Sequence, residues 1–278
     1  MTGDAARTDP IAAPPAAPNA APNGDLHALE AAAFRAWPAL ETEDLHGWHL
    51  RFARGYTRRA NSANATPATP SADDEAAAAQ VRDIEARFAG RGLPPVFRLV
   101  SFDAAPTFDD TLAGRGYRFL DLSLVMVAPL DGAARPDDDA PPPQVLDDAG
   151  AWLGHYRAIT GSAGADQETH LRMLRAIPAR TAFATATLPG AGTDGPAAAC
   201  ALGVLDGESL GLFDIATHPD ARRQGHAGRL CAGLMRWARG QGARRAYLQV
   251  LASNHGAIAL YERLGFRRAY HYWYRVAG

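Results

Sequence analysis

The stretch Gly211–Gly228, GLFDIATHPDARRQGHAG, constrains this chain more than any other. Leu212, Phe213, Ile215 and Thr217 are strand formers, and His218-Pro219-Asp220 breaks their run. Arg222-Arg223-Gln224-Gly225-His226-Ala227-Gly228 follows, with small residues at 225, 227 and 228 that let a ligand approach the backbone. Leu230, Leu234, Trp237 and Ala238 then recur at helical spacing. A strand, a basic small-residue turn and a helix N-terminus together offer unsatisfied N–H groups and a positive dipole end, which suit phosphate oxygens. No Gly-Lys-Ser/Thr follows, and the three glycines of the dinucleotide fingerprint are not supplied, so the stretch belongs to neither of those phosphate-binding classes.

Bulk properties narrow the rest. A chain of 278 residues suggests one large or two ordinary domains, at roughly 100–200 residues each, and 47% hydrophobic content supports a sizeable core. Basic and acidic residues number 28 and 30, a net charge of −2, so no global basic field invites nucleic acid. Cys200 and Cys231 are the only cysteines and have no Cys-x-x-Cys or Cys/His ligand spacing; both read as small buried residues of a reduced cytosolic protein. No apolar run approaches the ~18 residues of a membrane span. Residues 1–24 are Ala/Pro-rich, carry Asp4 and Asp9 and lack a signal peptide's apolar centre. The expectation is a soluble cytoplasmic protein with a disordered front, and the oligomeric state is not legible.

In chain order, Leu26–Trp37 reads as a helix stopped by Pro38, and Gly47–Arg59 as a hairpin about Gly55. Residues 60–74 read as loop, Ala76–Phe88 as a helix, Val96–Ser101 as a strand, Thr107–Arg115 as a short helix and Tyr117–Val127 as a strand. Residues 128–143, with Asp137-Asp138-Asp139, have a linker's composition and no metal-ligand spacing. The expected division is a tail (1–24), a smaller α+β domain (25–128), a linker (129–143) and a second domain (144–278). The second domain reads β-α-α-β-β-β-α-β-α-β, an α/β arrangement.

Pro219, Arg222, Gly225 and Ala227 resemble the R-x-x-G-x-G/A acetyl-CoA signature of GNAT-type N-acetyltransferases. Asn254, Ala257, Leu260, Tyr261, Gly265 and Phe266 resemble that superfamily's second motif, N-x-x-A-x-x-L-Y-x-x-x-G-F. Locally the phrasing is most similar to ribosomal-protein N-terminal alanine acetyltransferases, over about half the chain. The resemblance implies a mixed, centrally splayed sheet flanked by helices. It implies that main-chain groups of Ile215, Ala216 and Thr217 pair with pantetheine amides, and that Arg222, Arg223, Gln224, Gly225, His226, Ala227 and Gly228 hold the pyrophosphate of acetyl-CoA. Asn254 would bond the pantetheine arm or cap its own helix, and Tyr261 would protonate the leaving thiolate.

The general base does not carry over, because Gln249 occupies the position of the relatives' Glu and an amide takes no proton. Asp214 and His218 flank the cleft, with structural roles the simpler reading; strand alternation sets Asp214 opposite Ile215 and Thr217. The implied reaction is direct acetyl transfer to a primary amine in a ternary complex, with no metal. A small molecule and a protein N-terminus remain alternative acceptors, and a non-catalytic acyl-CoA-binding regulatory module is the rival class. Arg115-Gly116-Tyr117 parallels Leu264-Gly265-Phe266, setting Leu112 where Tyr261 stands. The front half therefore reads either as a degenerate GNAT-type lobe without the acid or as an ordinary α+β domain.

Overall fold

A computed structural model describes residues 23–69, 73–103, 106–130, 143–161, 164, 166–187 and 195–278. The expected tail and linker, Asp137–Asp139 included, fall mainly on 1–22 and 131–142, outside the described residues. The front half runs α1 (Asn23–Ala36), β1 (Glu41–Leu45), β2 (Trp48–Phe52), β3 (Ser62–Ala65), α2 (Asp74–Ala89), β4 (Val96–Val100), α3 (Pro106–Gly114) and β5 (Arg118–Pro129). The back half runs β6 (Gln144–Leu146), α4 (Ala149–Thr160), α5 (Asp166–Arg175), β7 (Arg180–Thr187), β8 (Ala197–Asp206), β9 (Ser209–Thr217), α6 (His226–Gly240), β10 (Arg245–Leu251), α7 (His255–Arg263) and β11 (Arg267–Val276).

Among the described residues, eleven strands form one mixed sheet in the order β1-β2-β3-β4-β11-β5-β10-β9-β8-β7-β6. Among the described residues, only β3–β4 and β9–β10 pair in parallel. The final strand of each half is exchanged: β11 lies between β4 and β5, while β5 lies between β11 and β10. Outward from the central β11–β5 pair, the two wings repeat the same sequence of pairings, with β6 added at one edge.

Alternation along the strands assigns the two faces. On β4, Val96 and Val100 pack with α1, whereas Phe97 and Leu99 pack under α2 and α3. On β10, Tyr247 joins the α1/α4/α5 core, whereas Ala246, Leu248 and Val250 pack under α6 and α7. Local sequence explains the helices. Asp73 caps α2 by accepting from the Ala76 N–H, and Ala77, Val81, Ile84 and Phe88 form its buried stripe. The ends of α3 and α7 are built alike: Tyr117 N–H donates to Leu112 O and Phe266 N–H to Tyr261 O, both at 3.0 Å. The turns pass through Gly116 (φ 85°) and Gly265 (φ 89°), left-handed positions that favour glycine.

Two local expectations are corrected. The hairpin does not turn at Gly55; it turns at His46-Gly47, where both residues have positive φ, and Leu45 pairs with Trp48. Its first strand, ETEDL, lies at the sheet edge with no apolar alternation to reveal it. The stretch read as loop contains β3, whose Ser62 and Asn64 are buried. Asn64 Nδ2 donates to the carbonyls of His49 and Ser62, so a polar residue is satisfied inside the sheet.

Candidate active site

Strands β9 and β10 pair from Ser209 and Arg245 to Leu212 and Leu248, and there the ladder stops. Beyond it β9 stays with β8 as far as Thr217, and β10 stays with β5 as far as Leu251. The sheet thus opens between Phe213–Thr217 and Gln249–Leu251. A bulge on β9 reinforces the opening: its register against β8 shifts between Cys200 and Leu202, and Asp214 takes φ 46°. The extra residue leaves Phe213 and Asp214 both on the α4/α5 face, while Ile215 packs on the α6 side.

The α6 side of this opening is a cleft of about 850 Å³. It is lined by Ile215, Ala216, Thr217, Arg222, Arg223, Gly225, His226, Ala227, Gly228, Asn254 and Tyr261, together with Ile159, Thr160 and Leu260. Of the candidate residues only Gln224 is not part of its wall. Its Nε2 donates to Asp220 O and its carbonyl accepts from Arg229 Nη1, so it shapes the turn.

The turn is arranged for an anion. Arg223 (φ 59°) and Gly225 (φ 80°) are left-handed, and α6 starts at His226 with no side-chain cap. The first-turn N–H groups of His226, Ala227 and Gly228 therefore lack intrahelical partners. Among the described residues, Arg222 and Arg223 have no carboxylate partner, and both are exposed at the rim. The left-handed φ at 225 favours glycine, and a Cβ on Gly228 would crowd Leu260 Cδ1 at 3.2 Å. Burial and the Arg229 guanidinium lower the pKa of His226, whose Nε2 is buried without a partner. Such an anion cradle of donors and two free guanidiniums fits a pyrophosphate.

Helix α7 brings in Tyr261. Asn254 caps the helix by accepting from Ala257 N–H at 3.2 Å, and it also lines the cleft. Tyr261 is buried against Phe266 but lines the cleft. Burial raises its phenol pKa further above the usual value, so the side chain stays a proton donor. Burial also pushes the Cys231 thiol to about 12, and burial with the Asp214 charge pushes Cys200 to about 12; neither is a ready nucleophile.

On the other face stands a set that sequence patterns did not reveal. His170 of α5 stacks on Tyr56 and accepts or donates at 2.9 Å between Nδ1 and its hydroxyl, with Trp37 and Tyr156 around the ring. Its Nε2 lies 2.8 Å from Asp214 Oδ2, close but outside hydrogen-bond geometry. His170 occurs in an amphipathic helix, where spacing alone marks a core position. Gln249 Oε1 accepts from the Tyr272 hydroxyl at 3.0 Å. His218 builds the turn: its N–H donates to Ala198 O, and its Nδ1 accepts from Asp220 N–H.

A mixed sheet splayed at one parallel pair, with an uncapped helix N-terminus facing the opening, defines the GNAT class of N-acetyltransferases. The same architecture occurs in a GCN5-related N-acetyltransferase from Kribbella flavida, with a TM-score of 0.67, 18% identity, and coverage of 90% of this chain and 95% of that one. Over residues 23–275 the chain matches the family described as "Probable histone acetyltransferase Rv0428c C-terminal", and it belongs to that family. An uncharacterized N-acetyltransferase, YobR, of Bacillus subtilis (strain 168) is 26% identical over 260 residues, covering 91% of this chain and 98% of that protein. The [ribosomal protein bS18]-alanine N-acetyltransferase of Escherichia coli (strain K12) is 47% identical over 58 residues, only 21% of this chain and 39% of that enzyme. That similarity is therefore local. Among the described residues, no helix is long and apolar enough to cross a membrane, and no cluster of potential ligands could hold a metal ion.

Proposed function

We propose that the back half transfers an acetyl group from acetyl-CoA to a primary amine by direct attack within a ternary complex, and that the front half is a GNAT-type lobe that binds no cofactor. The observation that carries the reading is the single cleft joining the β9–β10 opening, the uncapped start of α6 and Tyr261. Bound acetyl-CoA supplies an acetyl group activated as a thioester. The edge of Ile215–Thr217 that faces away from β8, beyond the end of the β9–β10 ladder, adds a strand-like partner for amides. Arg222, Arg223 and the first-turn N–H groups of α6 receive phosphate oxygens. A backbone N–H of β9 polarises the carbonyl under attack. Tyr261, kept protonated by burial, gives its proton to the departing sulfur.

No carboxylate stands where the relatives' base would be. Gln249, fixed by Tyr272, offers an acceptor for the amine's N–H but cannot remove a proton, so the amine enters neutral or loses its proton to water. In the front lobe Leu112 is fully buried at the position matching Tyr261, which leaves that wing no proton donor there. The test is CoA release with peptides, polyamines, aminoglycosides and amino acids as acceptors. Tyr261→Phe should lower kcat about 10²- to 10⁴-fold while acetyl-CoA still binds. Tight acetyl-CoA binding with no CoA release from any acceptor would favour the regulatory-module reading instead.

A further inference from the structure

Resting on that reading, we infer that the acceptor carries a carboxylate beside its reactive amine, received by Arg59 of the front half. Beyond the last β9–β10 pair the first residues are Phe213 and Gln249, which form the apex of the opening. Both line a narrow recess together with Trp37, Arg51, Arg59 and Arg98. This recess lies beside an open pocket of about 340 Å³ that shares Gln249 and Arg59 and includes Thr57, Ser123 and Tyr272. An acceptor filling that pocket would lie against Gln249, across the opening from the anion cradle.

The charge around the apex is unbalanced. Three guanidiniums surround it, and Glu30 is the one carboxylate paired with any of them among the described residues. Arg98 takes Glu30 through two bonds, 2.5 and 2.8 Å. Arg51 directs its donors to the carbonyls of Arg59, Phe34 and Trp37. At the pocket rim Arg58 is paired with Asp121 at 2.6 Å. Asp214 also acts on this region, but its oxygen lies against His170. Arg59 is left with no carboxylate partner among the described residues. Its guanidinium is stacked 4.9 Å from the Trp37 ring and 5.9 Å from the Phe213 ring, whose own stacking at 5.7 Å fixes that platform. A guanidinium positioned by aromatic faces keeps its fork of donors free, and that fork matches a carboxylate. At about 340 Å³ the pocket has room for an amino-acid-sized acid.

The experiment compares kcat/KM of the full chain, at saturating acetyl-CoA, for amino acids, their methyl esters and amides, aminoalkyl phosphates and polyamines. Binding of N-acetylamino acids, the products, is measured in parallel by calorimetry without acetyl-CoA. The free acids should exceed their esters and amides by about tenfold or more, the scale of a charge-assisted pair. Arg59→Gln should erase that preference through KM and abolish product binding, with acetyl-CoA affinity unchanged; Arg59→Lys should restore part of both. Esters or polyamines used as well as acids, a preference for phosphates, or product binding that is absent or indifferent to Arg59 would each overturn the inference while leaving acetyl transfer intact. Failure to bind acetyl-CoA at all would instead defeat the proposed function, and the calorimetry would still decide the role of Arg59.

Discussion

Replacing Glu30 by Gln probes the buried charge that ties α1 to β4 and β11. The Glu30 carboxylate receives both Arg98 nitrogens and the Tyr270 hydroxyl. The Arg98 and Glu30 side chains are only 3% and 10% exposed. Gln preserves the shape but leaves Arg98 without a counter-charge, close to the equally buried Arg51. Removing one partner of a buried pair costs about 3–5 kcal/mol, a large share of the roughly 5–15 kcal/mol that typically holds a domain together. Glu208→Gln makes the contrast, since its pair with Arg244 is 65% and 71% exposed and contributes under about 1 kcal/mol. Urea midpoints at pH 7, with m-values checked for constancy, measure both. A loss below about 1 kcal/mol for Glu30→Gln, or equal losses for the two variants, would refute the reasoning. The pH dependence supplies a second arm. Burial alone pushes the Glu30 carboxyl up, but the Arg98 charge and bonds, with Tyr270 and Arg51, hold it below its ordinary value of 4.5. A folded value below the unfolded one means that the stabilisation is present above about pH 4.5 and is lost as pH falls through the folded value. The wild-type curve should therefore fall more steeply than that of Glu30→Gln on the acid side.

One substitution and one alkylation experiment report on the cleft and its surroundings. Gly225→Ala forces a side chain into a left-handed position 2.8 Å from Arg229 Nη1, and should raise KM for acetyl-CoA by about ten- to a hundredfold by misaligning the start of α6. Cys200 and Cys231, with thiols pushed to about 12 by burial, should resist alkylation at pH 8 and react fully once the chain is unfolded.

The cleft with the uncapped start of α6 was legible in the sequence because its members are local. Arg222 to Gly228 form one turn and one helix start, and Asn254 to Phe266 one helix with its closing glycine, so spacing alone carries the geometry. The cluster on the opposite face was not legible because its members meet only through the fold. Trp37, Tyr56, Arg59, His170 and Asp214 come from separate elements, and each alone looks like an ordinary core or surface residue. Two local patterns misled for physical reasons. Strand β1 has no buried face to impose alternation, and β3 satisfies Asn64 with hydrogen bonds, so a polar stretch reads as loop. The sequence could place β5 and β11 as strands but not their exchange, since pairing between residues so distant leaves no periodic trace.

That exchange bears on how the chain must assemble. During synthesis β4 and β5 are made long before β11, which finally separates them. Until residues 267–276 emerge, β4 and β5 each present an unpaired edge to the place that β11 will fill. Joining the two wings therefore waits on contacts between residues distant in the chain, which form slowly. Removing residues 23–130 would also bare the edges of β10 and β11, both of which pair with strands of the front half.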